Sequence, residues 1–205
     1  MSTILQIDSS PRTESVSSAF AARYVAGLKQ KDPAATVYHH NTGYEKLPYV
    51  DEAALGVLYG SPENPTEEQK KILALSDQLI DELLAADTIV FGVPMWNFGI
   101  PASLKAWVDL ISRPGRTFQY VAGGGVAPLV PADKKAVVFA SHGGSYTEGS
   151  PWAAFNQADP YIRTIFGFFG ITDVTFVPID NQNRSGSAPA EGLAAAEQQL
   201  AALLA

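Results

Sequence analysis

Apolar positions along the chain fall into two kinds of segment that alternate from end to end. Five short runs are of strand length and rich in β-branched residues: Ile4-Leu5-Gln6-Ile7, Ala35-Thr36-Val37-Tyr38-His39, residues 88–93, residues 134–140 and residues 173–179. Between them, apolar residues recur at helical spacing over residues 19–29, 72–84, 103–111 and 161–169. An alanine-rich stretch of high helix propensity closes the chain over 188–205. Thr66 with Gln69 three residues later predicts a capped helix start. Residues 117–120 and 126–130, separated by Gly123-Gly124-Gly125, predict a small β excursion. Residues 41–65, with three glycines and three prolines, read as a long irregular loop of the kind that serves function or a partner contact.

Strands alternating with helices predict a doubly wound parallel sheet, and residues 1–205 read as one domain with no linker or repeat. The run Thr88-Ile89-Val90-Phe91-Gly92-Val93 is apolar on both faces, as a central strand of such a sheet must be. It stops at Pro94 and gives Met95-Trp96-Asn97-Phe98-Gly99-Ile100-Pro101. A proline-bracketed loop with aromatic faces and one amide either plugs the top of the core or receives a flat heterocycle.

Two other strands end in loops of distinctive chemistry. The first runs into a segment with five serines in residues 9–18 before a helix begins. One serine suffices to cap a helix; the surplus, with helix N–H groups and the dipole, suits a phosphate monoester. Neither G-x-x-x-x-G-K-[ST] nor G-x-G-x-x-G occurs there. The fourth strand ends in Ser141-His142-Gly143-Gly144, either a simple turn or a place for close backbone approach to a bound group. The flavodoxin-like strand order 2-1-3-4-5 makes strands one, three and four neighbours and brings all three loops to one crevice. Flavin mononucleotide (FMN), a phosphate monoester with a flat ring, meets the demands of all three.

Composition narrows the classes. Of 205 residues, 46% are hydrophobic and 17% charged, which fits a globular chain. A net charge of −7 argues against nucleic acid as a partner. The absence of cysteine removes disulfides and thiolate chemistry. The first residues, Met1 to Asp8, lack a basic signal-peptide start, and no apolar run approaches bilayer-spanning length, so a cytoplasmic protein without membrane contact is expected. His39 and His40 are adjacent, face opposite sides of a strand and so cannot share a metal; both read as surface or loop histidines. No metal site is expected.

At four motifs the sequence resembles the FMN-dependent NADH:azoreductase family, whose members also reduce quinones. These are Pro94-Met95-Trp96-Asn97-Phe98 (P-M-Y-N-F in the family), Thr117-Phe118-Gln119-Tyr120, Ser141-His142-Gly143-Gly144 (S-R-G-G), and residues 167–174. The resemblance implies a homodimer with two FMN sites at the subunit interface. It places the phosphate at Ser9, Ser15, Val16 and Ser17, and the isoalloxazine against Pro94, Met95, Trp96, Asn97 and Phe98 and against Ser141, His142, Gly143 and Gly144. Phe98, Tyr120, Tyr146 and, from the partner subunit, Phe168 are implied around the substrate. Trp96 replaces a tyrosine, and His142 replaces an arginine, exchanging a permanent cation for a group expected to titrate near neutrality. The implied reaction is a two-step exchange: NADH or NADPH gives a hydride to the flavin, then a quinone or azo compound takes it. No side chain is required as general acid or base, so no catalytic residue is assigned. The rival reading is a flavodoxin-type electron carrier that binds FMN without turning over NAD(P)H itself.

Overall fold

The computed structural model describes residues 2–60 and 62–205. Met1, part of the N-terminal reading, and Ser61, within the 41–65 segment, lie outside the described residues. Five parallel strands form the main sheet: β1 (Thr3–Asp8), β2 (Thr36–Asn41), β3 (Thr88–Pro94), β6 (Lys135–Ser141) and β7 (Asp173–Ile179). Their order is β2-β1-β3-β6-β7, the expected 2-1-3-4-5 arrangement. A two-stranded antiparallel hairpin, β4 (Phe118–Val121) and β5 (Gly125–Pro128), forms the predicted excursion.

Because side chains alternate across a strand, each strand feeds two cores. Ile4, Val90, Val137 and Phe139 point to one face, packed with residues of α1 (Val16–Lys31) and α6 (Ala188–Leu204). Leu5, Ile7, Ile89, Phe91 and Val93 point to the other, covered by α3 (Glu67–Ala85), α4 (Ala102–Ile111) and α5 (Ala158–Phe169). There Trp107 and Phe166 each meet Phe91 edge-on, with ring centroids 5.7 and 5.4 Å away. The expected capping box of α3 is present: Thr66 Oγ1 accepts from Gln69 N, and Gln69 Oε1 accepts from Thr66 N. Among the described residues no helix is long and apolar enough to cross a membrane.

Two expectations need correction. Residues 41–65 are not all loop, since α2 (Glu52–Leu58) forms within them, N-capped by Asp51 and burying Ala54, Val57 and Leu58 in the core. Seven residues, about two helical turns, are too few to show a periodic signal among so many glycines and prolines. His40 is also no surface residue: its mostly buried ring lies between Glu45 (3.1 Å) and Glu82 (2.5 Å), tying β2 to α3. His39 does sit on the opposite face, with Nε2 2.8 Å from the buried Asp8 Oδ2.

One close approach fixes the top of the sheet. A Cβ on Gly92 would lie 2.3 Å from Asp8 Oδ1 and 3.0 Å from the Ser18 backbone of α1. The helix start and β3 therefore touch without a side chain between them. Gly92→Ala should lower stability by about 2 kcal/mol through overpacking, read as a fall in the urea midpoint at unchanged slope. An unchanged midpoint would show that α1 moves aside without cost.

Candidate functional site

The carboxyl ends of β1, β3 and β6 lie side by side and are laced by the backbone. Ser9 N donates to Gly92 O at 3.0 Å, and Met95 N donates to Ser141 O at 2.8 Å. Above them opens a cleft of about 350 Å³, within the size range of small-molecule sites. Its first wall is Ser10, Arg12, Glu14, Ser15 and Val16, its second Pro94, Met95 and Trp96, and its third Ser141, His142 and Gly143. The three loops singled out in the sequence therefore meet in one crevice.

Within the first loop the serines divide by role. Ser15 N-caps α1, accepting from Ser18 N at 3.3 Å, so the simple capping role is real for this residue. Ser9 and Ser17 are fully buried behind the cleft rather than lining it. The Ser9 hydroxyl donates to Gly92 O at 3.2 Å, and Ser17 Oγ lies 3.2 Å from Ser15 Oγ. Lining the cleft are Ser10, whose hydroxyl accepts from Arg12 N at 3.2 Å, Arg12 itself, Glu14, and Val16 at the first helical position. The N–H groups of a helix's first turn lack intrahelical acceptors and carry its positive dipole end. That end of α1 abuts the cleft, an arrangement suited to an anion.

The second loop is a tight turn. Trp96 and Gly99 exchange backbone N–H to O bonds of 3.0 Å, and both central residues are left-handed, Asn97 at φ 48° and Phe98 at φ 72°. Two successive positive φ values between bonded ends match the type I′ pattern. Asparagine tolerates that conformation, whereas phenylalanine there is strained, and such strain gathers at functional sites. The turn lifts Trp96, Asn97 and Phe98 to the surface; Phe98 stands beside Tyr146 (ring centroids 6.2 Å) and Phe155 (5.4 Å). Tyr120 belongs to another aromatic group, edge-on to Phe118 with centroids 5.5 Å apart, and Phe118 in turn meets Phe168 at 4.7 Å. Within one chain the four implied substrate residues thus form two groups, Phe98 with Tyr146 and Tyr120 with Phe168.

The third loop is packed against a fourth that the sequence reading missed. Gln182 and Asn183, just past β7, also line the cleft. Gln182 N donates to His142 O at 2.9 Å and Asn183 N to Gly143 O at 3.1 Å. The paired glycines serve this packing: a Cβ on Gly143 would press Asn183 at 3.3 Å, and one on Gly144 would press Arg184 at 3.2 Å. The polar run Asp180-Asn181-Gln182-Asn183 at the end of a core strand was the available signal.

His142 departs from its expected behaviour. Its side chain is wholly buried, with Nδ1 2.8 Å from Asp180 Oδ1 and Nε2 facing Asp159 Oδ1 at 3.8 Å. Burial opposes the charged ring, but Asp159 and Asp180 outweigh it and push the pKa up to about 9. Instead of titrating near neutrality, His142 is a cation at pH 7. Among the described residues no cluster of three or more His, Asp or Glu side chains could hold a metal.

A group whose pKa rises on folding stabilises the native state fully below its unfolded value and loses that contribution as pH climbs through the folded one. From the model value of 6.5 to about 9, His142 adds roughly 3 kcal/mol at most, and the native state should weaken steadily between pH 7 and 9.5. Urea unfolding across that range should show the decline in the native sequence and a flatter profile in His142→Gln.

Comparison with known proteins agrees with this geometry. A family model described as the flavodoxin-like fold matches residues 2–204. A Nostoc sp. (strain PCC 7120) protein named FMN-dependent NADH:quinone oxidoreductase is 43% identical over 202 residues, 98% of this chain and 97% of that one. A Burkholderia pseudomallei protein of the same name is 40% identical over 204 residues, 99% of this chain and all of its own length. The crystal structure of an azoreductase from Bacillus anthracis superposes with a TM-score of 0.89 at 31% identity, covering 100% of this chain and 99% of that one. On these matches, the chain belongs to the flavodoxin-like fold family and, within it, to the group of FMN-dependent NADH:quinone oxidoreductases and azoreductases.

Proposed function

We propose that this protein is an FMN-dependent oxidoreductase that draws hydride from NADH or NADPH and reduces quinones and azo compounds. The observation that carries the reading is the meeting of three chemically distinct loops in one cleft. The lining fits FMN: the N-terminus of α1 and the Arg12 guanidinium, set against one carboxylate on that wall, Glu14, for a phosphate monoester, and a stiff aromatic bend beside a backbone wall for a flat ring. When bound, FMN supplies the redox chemistry, taking a hydride from the nicotinamide and passing its two electrons to the acceptor.

The chain's own part is to bind, orient and shield. Ser15 and Val16 hold the phosphate end at the start of α1, with the buried Ser9 and Ser17 fixing the loop's shape behind them. Pro94, Met95, Trp96, Asn97 and Phe98 flank one edge of the ring. Ser141, His142, Gly143 and Gly144 would supply backbone beside the ring; the His142 N–H is spent on Ile179 O at 2.9 Å, which leaves the Gly143 and Gly144 N–H groups to favour negative charge there in the manner of an oxyanion hole. No residue acts as catalytic acid or base. Phe98 and Tyr146 offer an aromatic face to a planar acceptor.

The substrate pocket is completed in a homodimer, where Phe168 of the partner subunit covers it. The whole of residues 1–205 acts as one domain, in the cytoplasm where the nicotinamide donor resides. The electron-carrier alternative is disfavoured by relatives named as oxidoreductases along the whole chain.

Purified protein should be yellow, and anaerobic NADH or NADPH should bleach it within seconds; a yellow protein that stays oxidised would be a carrier. Val16→Asp places a carboxylate at the first helical position, where the helix dipole favours it and offsets part of the apolar contact that half-buried Val16 gives up; a urea midpoint measured alongside separates any loss of stability from loss of FMN. The same charge faces the phosphate end of the cleft, so FMN affinity should fall by roughly tenfold or more, measured by flavin fluorescence on titration. Full flavin occupancy in Val16→Asp would refute the phosphate assignment.

A further inference from the structure

The redox reading leaves unused a buried charge cluster directly behind the third wall of the cleft. His142 is its centre, on the loop between β6 and Tyr146, with no part of its side chain exposed. Nδ1 meets Asp180 Oδ1 at 2.8 Å, and Asp180 Oδ2 accepts from Ser145 Oγ at 2.9 Å. Across the ring, Nε2 and Asp159 Oδ1 are 3.8 Å apart, and neither atom has another partner. Asp159 is itself steadied in the first turn of α5 by Asn156 Nδ2, 2.9 Å from Oδ2. The Tyr146 ring stands edge-on to the imidazole at 5.9 Å and carries the contact onward to Phe98.

One side chain therefore joins three elements. It ties the 141–145 loop to the 180–184 loop through Asp180, and both to α5 through Asp159. The backbone bonds from Gln182 and Asn183 to His142 and Gly143 lie on the cleft side of the same junction. With the ring protonated the His142–Asp159–Asp180 cluster carries a net single negative charge. Without that proton two partly buried carboxylates remain with no cation between them, next to a cleft built for an anion. Removing the charge from such a junction leaves unpaired buried charge and loosens whatever it holds.

We propose that His142 is a positioning residue for FMN: clamped as an imidazolium between Asp180 and Asp159, it locks the two loops into one wall, and FMN retention depends on that clamp. The inference rests on the FMN reading and assigns the residue that substitutes for the family's arginine. The charged and titratable groups around it are Asp159 from α5, Asp180 from the end of β7 and Tyr146 from its own loop. Arg163, one turn along α5, and Glu148 line an open cavity with Asp159 and Tyr146; Arg184 packs over Gly144; and Arg12 and Glu14, from the loop before α1, line the cleft together with His142.

The test follows FMN release from the holoprotein between pH 7 and pH 10, with the His142 ring observed separately by NMR in flavin-free protein. The native sequence should hold FMN about tenfold less tightly at pH 10 than at pH 7, with its midpoint where the ring loses its proton. His142→Gln should bind about tenfold more weakly at pH 7 and show no such midpoint. Asp159→Asn keeps the ring in place and should move the midpoint down by about one pH unit, in NMR and release alike. That variant carries the test should His142→Gln not fold. A release profile that is flat in the native sequence, or a midpoint unmoved in Asp159→Asn, overturns the positioning role while leaving FMN binding intact. Failure of the native protein to bind FMN at pH 7 would instead overturn the functional reading itself.

Discussion

The site depends on the direct contact between the start of α1 and β3 at Gly92. With no side chain between them, the helix N-terminus is drawn down onto the strand's carboxyl end, beside Asp8 and the Ser9 bond to Gly92. Parallel register then does the rest. Pro94 pairs with Ser141, so the aromatic bend and the glycine loop leave the sheet at the same height. An anion-favouring helix end, an aromatic bend and an open backbone thus become neighbours through sheet geometry alone, the general place for ligands in doubly wound folds.

Above that rigid base the cleft rim is held in less comfortable conformations. Asn97 and Phe98 both take left-handed backbone in a closed turn, which holds three exposed side chains at one edge. Opposite, the rim rests on a buried cation, His142, whose charge exists only because two carboxylates flank it, at a position where the family resemblance implies an arginine. A histidine in that setting keeps the charge of arginine at neutral pH while filling less space. The cost is sensitivity to alkali, which a guanidinium would not have.

Much of this was legible in the sequence. Strand runs such as residues 88–93 and the Thr66–Gln69 capping box carry local signals strong enough to survive any tertiary context. Strand order followed from where the distinctive loops had to meet. What was hidden is non-local. The charge state of His142 is set by Asp159 and Asp180, 17 and 38 residues further along, and no local pattern announces either partner. The burial of His40 between Glu45 and Glu82 has the same origin. The helix Glu52–Leu58 was lost among turn-forming residues, and its stability comes from packing Ala54, Val57 and Leu58 rather than from propensity. Gln182 and Asn183 were overlooked because polar residues after a last strand look like any exit loop.

The most direct check is a crystal structure of the protein with FMN. The account places the phosphate at the start of α1 between Ser10 and Val16, and the ring between the 94–98 bend and the 141–144 loop. Electron density for FMN at any other face of the molecule, or a phosphate lying away from that helix end, would contradict it.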